Sequence, residues 1–289
     1  MIGIVTDSNA QLPPELVERY QIEVVPLTVV VDGTEYAEGV DLDADAFYAH
    51  FEGGNPTVST SQPIPGRFAE AYARVAERGA TEILSIHIGA DVSGTLNSAR
   101  VATGGAPVPV RLVDTGTASF GVACCVWEAA EAIAQGASLA EAAELAEQLG
   151  TSVGNVFVVR ALDLARAGGR LVVEDGPGLA PDDDGPDDAP IPVLSLVKGE
   201  IRSVGQARDV AEAARVMADF VALAGESLKV AVGIADRGAE PIWLALEDAL
   251  AGVEQVQEVV RYRIGPSVGA HTGPGTAGAF FYPAPQADS

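Results

Sequence analysis

Lysine is nearly missing from this 289-residue sequence, which has only Lys198 and Lys229. Arginine brings the basic total to 17, against 41 acidic residues, for a formal charge of −24. So acidic a chain repels phosphate backbones and anionic bilayers, which excludes nucleic acid as a partner. Cysteine is scarce too. The two thiols, Cys124 and Cys125, are adjacent, so they form no disulfide framework and no zinc spacing. They read as buried thiols of an apolar helix. Aromatic residues make up 6%, too few for a module that stacks sugars or nucleotides throughout. No run approaches the roughly 18 uncharged apolar residues of a membrane helix, so no integral span is expected. The opening residues MIGIVTDSNA lack the basic start of a secretory signal, and a soluble cytoplasmic protein is expected.

What is abundant is apolar. Hydrophobic residues are 48% of the chain and the mean hydropathy is +0.21, enough for a sizeable core and against wholesale disorder. The first half alternates strand and helix. Strands are expected at 1–5, 22–31, 83–88 and 110–114, and helices at about 12–20, 43–51, 66–78, 95–103, 117–135 and 138–149. That order predicts a parallel α/β sheet with helices on both faces, binding ligands at the carboxyl ends of its strands. The second half pairs strands (155–159, 193–197, 200–204, 229–236, 256–264) with helices at 161–167, 209–224 and 240–251. A mixed sheet in an α+β domain is expected there. The expected domains are 1–154 and 155–283, with a tail at 284–289. Residues 177–190, PGLAPDDDGPDDAP, read as a surface loop and not as a twelve-residue calcium loop.

Four polar segments fall where strands give way to loops: Thr6–Ser8, the polar loop around Thr60–Pro63, Ser93–Thr95 and the glycine-rich loop Gly269–Gly273. Hydroxyls dominate them. His271 is flanked by glycines in its loop and reads as functional, whereas His50 and His87 read as structural. Gly273–Gly278 spells GxGxxG, but it opens no βαβ unit and only eleven residues follow it, so a dinucleotide site is not expected. Ser93 stands just before a helix. There its hydroxyl caps free N–H groups, and those N–H groups with the helix dipole favour an anion. A carboxylate held by hydroxyls, N–H groups and one imidazole needs no metal. The same residue types allow a rival, a serine hydrolase with Ser93 as nucleophile, His271 as base and Asp7 as orienter. The Gly-x-Ser-x-Gly elbow is absent, since Ala90-Asp91-Val92 precede Ser93.

Taken in order, the motifs resemble the DegV family of bacterial fatty-acid-binding proteins. They are Ile4-Val-Thr-Asp-Ser8, Val25-Pro26-Leu27 with Asp32-Gly33, Thr60-Ser-Gln-Pro63, Ser93-Gly-Thr95 with Asn97-Ser98-Ala99, Gly168-Gly169-Arg170, and Ile264-Gly265-Pro266 with Gly269-Ala-His-Thr-Gly-Pro-Gly275. The resemblance spans nearly the whole chain. It implies a two-domain fold and one buried long-chain fatty acid such as palmitate, stearate or oleate. It also implies no catalysis by the chain itself and no other cofactor. Carried over by motif, Thr60, Ser61, Ser93, Gly94, Thr95, His271 and Thr272 would hold the carboxylate. Arg170 and Arg208 would lie near the head group or on a surface facing a fatty-acid kinase, the implied partner. The acidic loop departs from the family pattern, and Ile191-Pro-Val-Leu194 lacks the usual preceding lysine.

Such a ligand suits the physics. Burying about 14 methylenes at about 0.8 kcal/mol each yields ~11 kcal/mol before entropic costs of several kcal/mol. A buried carboxylate must instead be met by charge-assisted hydrogen bonds, which calls for several donors from separate segments.

Overall fold

The computed structural model describes residues 1–159, 190–197 and 200–284. The helix expected at 161–167, its glycine stop, Arg170, the acidic loop up to residue 189 and tail residues 285–289 lie outside the described residues. The chain divides into two compact units. One holds Met1–Asp43, Pro56–Ser152 and Gly265–Ser267, and the other Ala44–Asn55, Val153–Ile264 and Val268–Ser289.

In chain order the elements up to residue 152 are β1 (Ile2–Asp7), α1 (Pro14–Tyr20), β2 (Glu23–Val25), β3 (Thr28–Val31), β4 (Thr34–Ala37), α2 (Ala44–Ala49), β5 (Val58–Ser61), α3 (Pro65–Glu77), β6 (Glu82–His87), α4 (Thr95–Ala102), β7 (Val110–Asp114), α5 (Phe120–Ala134) and α6 (Leu139–Ser152). All but α2 belong to the first unit. Its main sheet is wholly parallel, in the order β2-β1-β6-β7. Helix α3 opens with Pro65 in its first turn and buries Phe68, Ala71, Tyr72 and Val75, one stripe at helical spacing. That stripe meets Val5 and Ile83 of the sheet and Ala99 and Ala102 of α4. A Cβ on Gly3 would come within 2.1 Å of Val75 Cγ1, so glycine there lets α3 lie close on β1. Helices α5 and α6 pack on β1, β6 and β7.

Two expectations need correction in this unit. The strand expected at 22–31 is two strands in different sheets. Pro26 has no N–H for the ladder, and the Leu27 N–H donates to Ser8 Oγ at 2.9 Å instead of to a neighbouring strand. The chain then enters a small antiparallel sheet, β4-β3-β5. The polar loop expected at Thr60–Pro63 is partly strand. Thr60 and Ser61 lie on β5, opposite Val29 and Thr28. Alternating hydroxyls and one valine carry too little apolar signal to read as a strand, yet pairing with the valines of β3 makes them one.

The second unit continues with β8 (Gly154–Val158), β9 (Ile191–Val197), β10 (Glu200–Ala207), α7 (Val210–Ala222), β11 (Leu228–Ile234), α8 (Glu240–Leu250), β12 (Val256–Arg263), α9 (Pro266–Thr272, whose first two residues belong to the first unit) and β13 (Ala277–Pro283). Its sheet runs β10-β9-β8-β13-β11-β12, antiparallel except for β11 with β12, so it is mixed as expected. Met217 and Val221 of α7 and Leu246 and Leu250 of α8 share one core with Val156, Val230, Val232 and Phe281 of the sheet. The glycine-rich segment is also corrected: it is no loop. Residues up to Thr272 are the helix α9, and the GxGxxG glycines divide between its stop and a strand. Gly273 and Gly275 adopt φ of 72° and 76°, the left-handed region where glycine costs least. Gly278 lies in β13, where a Cβ would meet Phe157 Cβ at 2.4 Å.

Candidate functional site

Within the first unit, strand alternation decides which polar groups gather. Val5 and Ser85 are register partners in parallel β1 and β6, so two residues on Asp7 and His87 lie side by side on the same face. His87 Nδ1–H donates to Asp7 Oδ2 at 2.9 Å, and Ser85 O–H donates to His87 Nε2 at 2.6 Å. Tyr72 O–H then donates to Ser85 Oγ at 3.0 Å, since the serine proton is already committed. The Ile88 and Asn9 amides also donate to Asp7. Asp7, Tyr72, Ser85 and His87 are all fully buried, and Phe68 sets its ring edge-on to His87 at 5.1 Å. Burial pushes the Tyr72 phenol up to about 12, which keeps it a donor. By residue type this is an Asp–His–Ser row. Sealed under α3, it braces the carboxyl ends of β1 and β6, and His87 is the satisfied core histidine that the sequence suggests. The Asp7 carboxylate, which the hydrolase reading needed to orient His271, is thus engaged by His87 and two amides.

Thr60 is half-buried and Ser61 exposed on β5, and Ser93 is half-buried before α4. Ser93 Oγ and Thr95 Oγ1 are 2.8 Å apart, and the Thr95 N–H donates to Ser93 Oγ at 3.3 Å. These two segments meet at Gly94. A Cβ there would fall 1.9 Å from Oε1 of Gln62, so the Gln62 amide packs against the Gly94 backbone. Glycine at 94 brings the Thr60–Gln62 segment against the first turn of α4. The structure therefore gathers Thr60, Ser61, Ser93, Gly94 and Thr95 in one unit, at the carboxyl end of the parallel sheet.

His271 and Thr272 belong to the second unit, in the last turn of α9. Thr272 Oγ1 donates to the Val268 carbonyl at 3.3 Å. A Cβ on Gly269 would sit 2.5 Å from the Tyr48 hydroxyl and 2.8 Å from Phe47 Cε1, so glycine lets α2 pack directly on α9. Arg170 lies outside the described residues. Arg208 stands 87% exposed at the start of α7, its Nε donating to Glu212 Oε2 at 3.0 Å. Glu212 also accepts from the Arg208 amide, while its own amide donates to Asp209 at the helix cap. Those bonds hold the Glu212 carboxyl down at about 2.

Sequence reasoning missed Glu38. It is 5% exposed, accepting from Ser8 Oγ at 2.5 Å and from the Ser267 amide at 2.7 Å. Burial pushes its carboxyl up to about 7 against those two bonds. The signal in the sequence was one glutamate in a polar stretch after β4, indistinguishable from a solvated one. Among the described residues no cluster of His, Cys, Asp and Glu is placed to hold a metal ion. No described helix is long and apolar enough to cross a membrane.

Comparison with known proteins agrees with this architecture. The family model described as "Uncharacterised protein, DegV family" matches residues 1–173 and 191–284. A DegV domain-containing protein of Streptomyces coelicolor is 36% identical over 278 residues, covering 96% of each chain. A solved DegV family protein from Thermus thermophilus, described for its fatty acid binding, shares 30% identity at a TM-score of 0.84, covering 98% of this chain and 99% of that one. DegV of Bacillus subtilis, described as a fatty acid binding protein, shares 25% identity at a TM-score of 0.82, covering 98% of this chain and 99% of that one. With its parallel four-stranded sheet, its separate mixed six-stranded sheet and a family match along nearly its whole length, the chain belongs to the DegV family.

Proposed function

We propose that the chain binds one long-chain fatty acid, and that its carboxylate is held by hydroxyls of the first unit. The observation that carries this reading is the meeting of the two hydroxyl segments at Gly94, in a chain whose solved relative from Thermus thermophilus is described for fatty acid binding. Ser93, Thr95 and Thr60 offer neutral donors, and the first-turn amides of α4 add N–H groups. Donors of this kind offset the cost of desolvating one carboxylate without a fixed positive charge. The acyl chain supplies the affinity through apolar burial. The chain catalyses nothing alone and presents the acid to a fatty-acid kinase, with Arg208 on the docking side.

The test is organic extraction or native mass spectrometry of the purified protein. A stoichiometric fatty acid is expected. Recovery of no lipid, together with no uptake of added palmitate, overturns the reading. Turnover of a p-nitrophenyl ester that disappears in Ser93→Ala would favour the hydrolase instead.

A further inference from the structure

Gly94 stands just before α4 with φ of −71° and ψ of 2°, a conformation open to most residues, so its backbone does not call for glycine. Its neighbour does. A Cβ there would fall 1.9 Å from Gln62 Oε1, 2.6 Å from Cδ and 2.9 Å from Nε2. The whole side-chain amide of Gln62 is seated on this one residue.

The chain around Gln62 sets which hydroxyl comes with it. Gln62 precedes the buried Pro63, and a residue before proline is restricted to extended backbone. It also follows directly on β5, where Val58 and Thr60 are half-buried and Ser59 and Ser61 exposed. Residues two apart on an extended chain share a face, so Gln62 continues the face of Thr60 and not that of Ser61. Strand β5 is an edge of its sheet, paired there with β3. The amide on Gly94 gives the end of that strand a second hold, on the segment that carries Ser93 and Thr95. All of these residues belong to the first unit.

We propose that Gln62 is a positioning residue for the head group: seated on Gly94, its amide sets the separation of the Thr60 hydroxyl from that of Ser93. This rests on the function proposed above, in which both hydroxyls serve one carboxylate. Donors that share an anion must be held at a fixed spacing by the residues behind them.

Binding is read with palmitate and with hexadecanol, which shares the chain and brings no charge. In Gln62→Ala, palmitate affinity is expected to fall about tenfold and hexadecanol affinity less than about twofold, because charge-assisted bonds gain most from well-placed donors. Gly94→Ala drives a methyl into the amide and is expected to cost palmitate about as much. With Gln62→Ala already present, Gly94→Ala is expected to cost less than about twofold more, since the methyl then enters the space left by the amide. Ser59→Ala, on the other face of β5, is the control and leaves both affinities in place. Unchanged palmitate affinity in Gln62→Ala overturns the proposal. So do equal losses for acid and alcohol, which would mark a general support of the fold, and so do additive losses in the double variant. If Gly94→Ala does not fold, the contrast between acid and alcohol in Gln62→Ala decides alone. If the unmodified protein takes up no palmitate, the function and this role fail together; uptake that Gln62→Ala leaves unchanged removes only the role of Gln62.

Discussion

Asp7 Oδ2 and His87 Nδ1 are 2.9 Å apart, and neither side chain touches solvent. The pair joins neighbouring parallel strands at their carboxyl ends, and it continues through Ser85 to Tyr72 on α3. Each group in the row has its partner, which is the condition for a buried polar row to stabilise a core.

Asp7→Ala removes the acceptor of His87 Nδ1–H and of two backbone amides. Buried donors left unmet cost about 1–3 kcal/mol each, so a loss of about 3 kcal/mol or more is expected in urea unfolding. Asp7→Asn keeps one acceptor oxygen and is expected to lose less. A loss below about 1 kcal/mol for Asp7→Ala would show that the row carries little of the stability.

Stability should depend on pH through Glu38. The folded carboxyl titrates at about 7, and its ordinary value is 4.5. Between those values the folded chain holds a proton that the unfolded chain has released. Stability from this group is therefore full below about 4.5, declines as pH rises, and levels off above about 7. Glu38→Gln removes the titration, so the variant gains on the wild type across that window by a few kcal/mol. Chemical denaturation of both proteins at several pH values checks this. A constant difference contradicts it.

Both cysteines are fully buried on α5, and burial pushes the Cys125 thiol up to about 12. A thiol held protonated and out of reach is a poor nucleophile. Native protein at pH 8 is expected to react with a thiol reagent only after denaturant is added. Prompt labelling of the folded protein would contradict the packing of α5.

Ser93→Ala deletes one hydroxyl from a half-buried position and should leave the fold intact. Palmitate affinity is expected to fall about tenfold, the worth of one hydrogen bond to a charged group. Isothermal titration checks it. Equal affinity would remove Ser93 from the head-group site.

Arg208 is exposed and bonded to Glu212 and leaves the core untouched. Arg208→Glu sets two like charges side by side at the start of α7 without reaching the core. Palmitate binding is expected to persist, while formation of acyl phosphate by a cognate kinase falls. Unaltered acyl phosphate formation would take Arg208 off the docking surface.

Much of this protein is legible along one dimension. Apolar periodicity marks α3 and α7, because burial of one face leaves its period in the chain, and apolar runs mark α5 and the buried strands. The motif series names the family. Three places misled for local reasons. Thr60 and Ser61 carry too little apolar signal to read as the strand they form. Residues 22–31 carry one apolar run, yet a proline without an N–H splits it between sheets. The glycine-rich segment looks like a loop, yet its glycines serve close packing, Gly269 against Tyr48 and Gly278 against Phe157.

What a linear reading cannot supply is who meets whom across long separations. Asp7 and His87 are 80 residues apart, and Glu38 and Ser267 are 229 apart. Composition and period settle most of the elements and the hydroxyl-rich segments, since those depend on near neighbours and on the sum of apolar surface, while the ordered motifs carry the family. Strand register and the burial of one carboxyl arise only when distant segments are brought together. They turn an ordinary glutamate into a buried acceptor and an Asp–His–Ser row into a brace, because a group's chemistry follows from what surrounds it and not from its place in the chain.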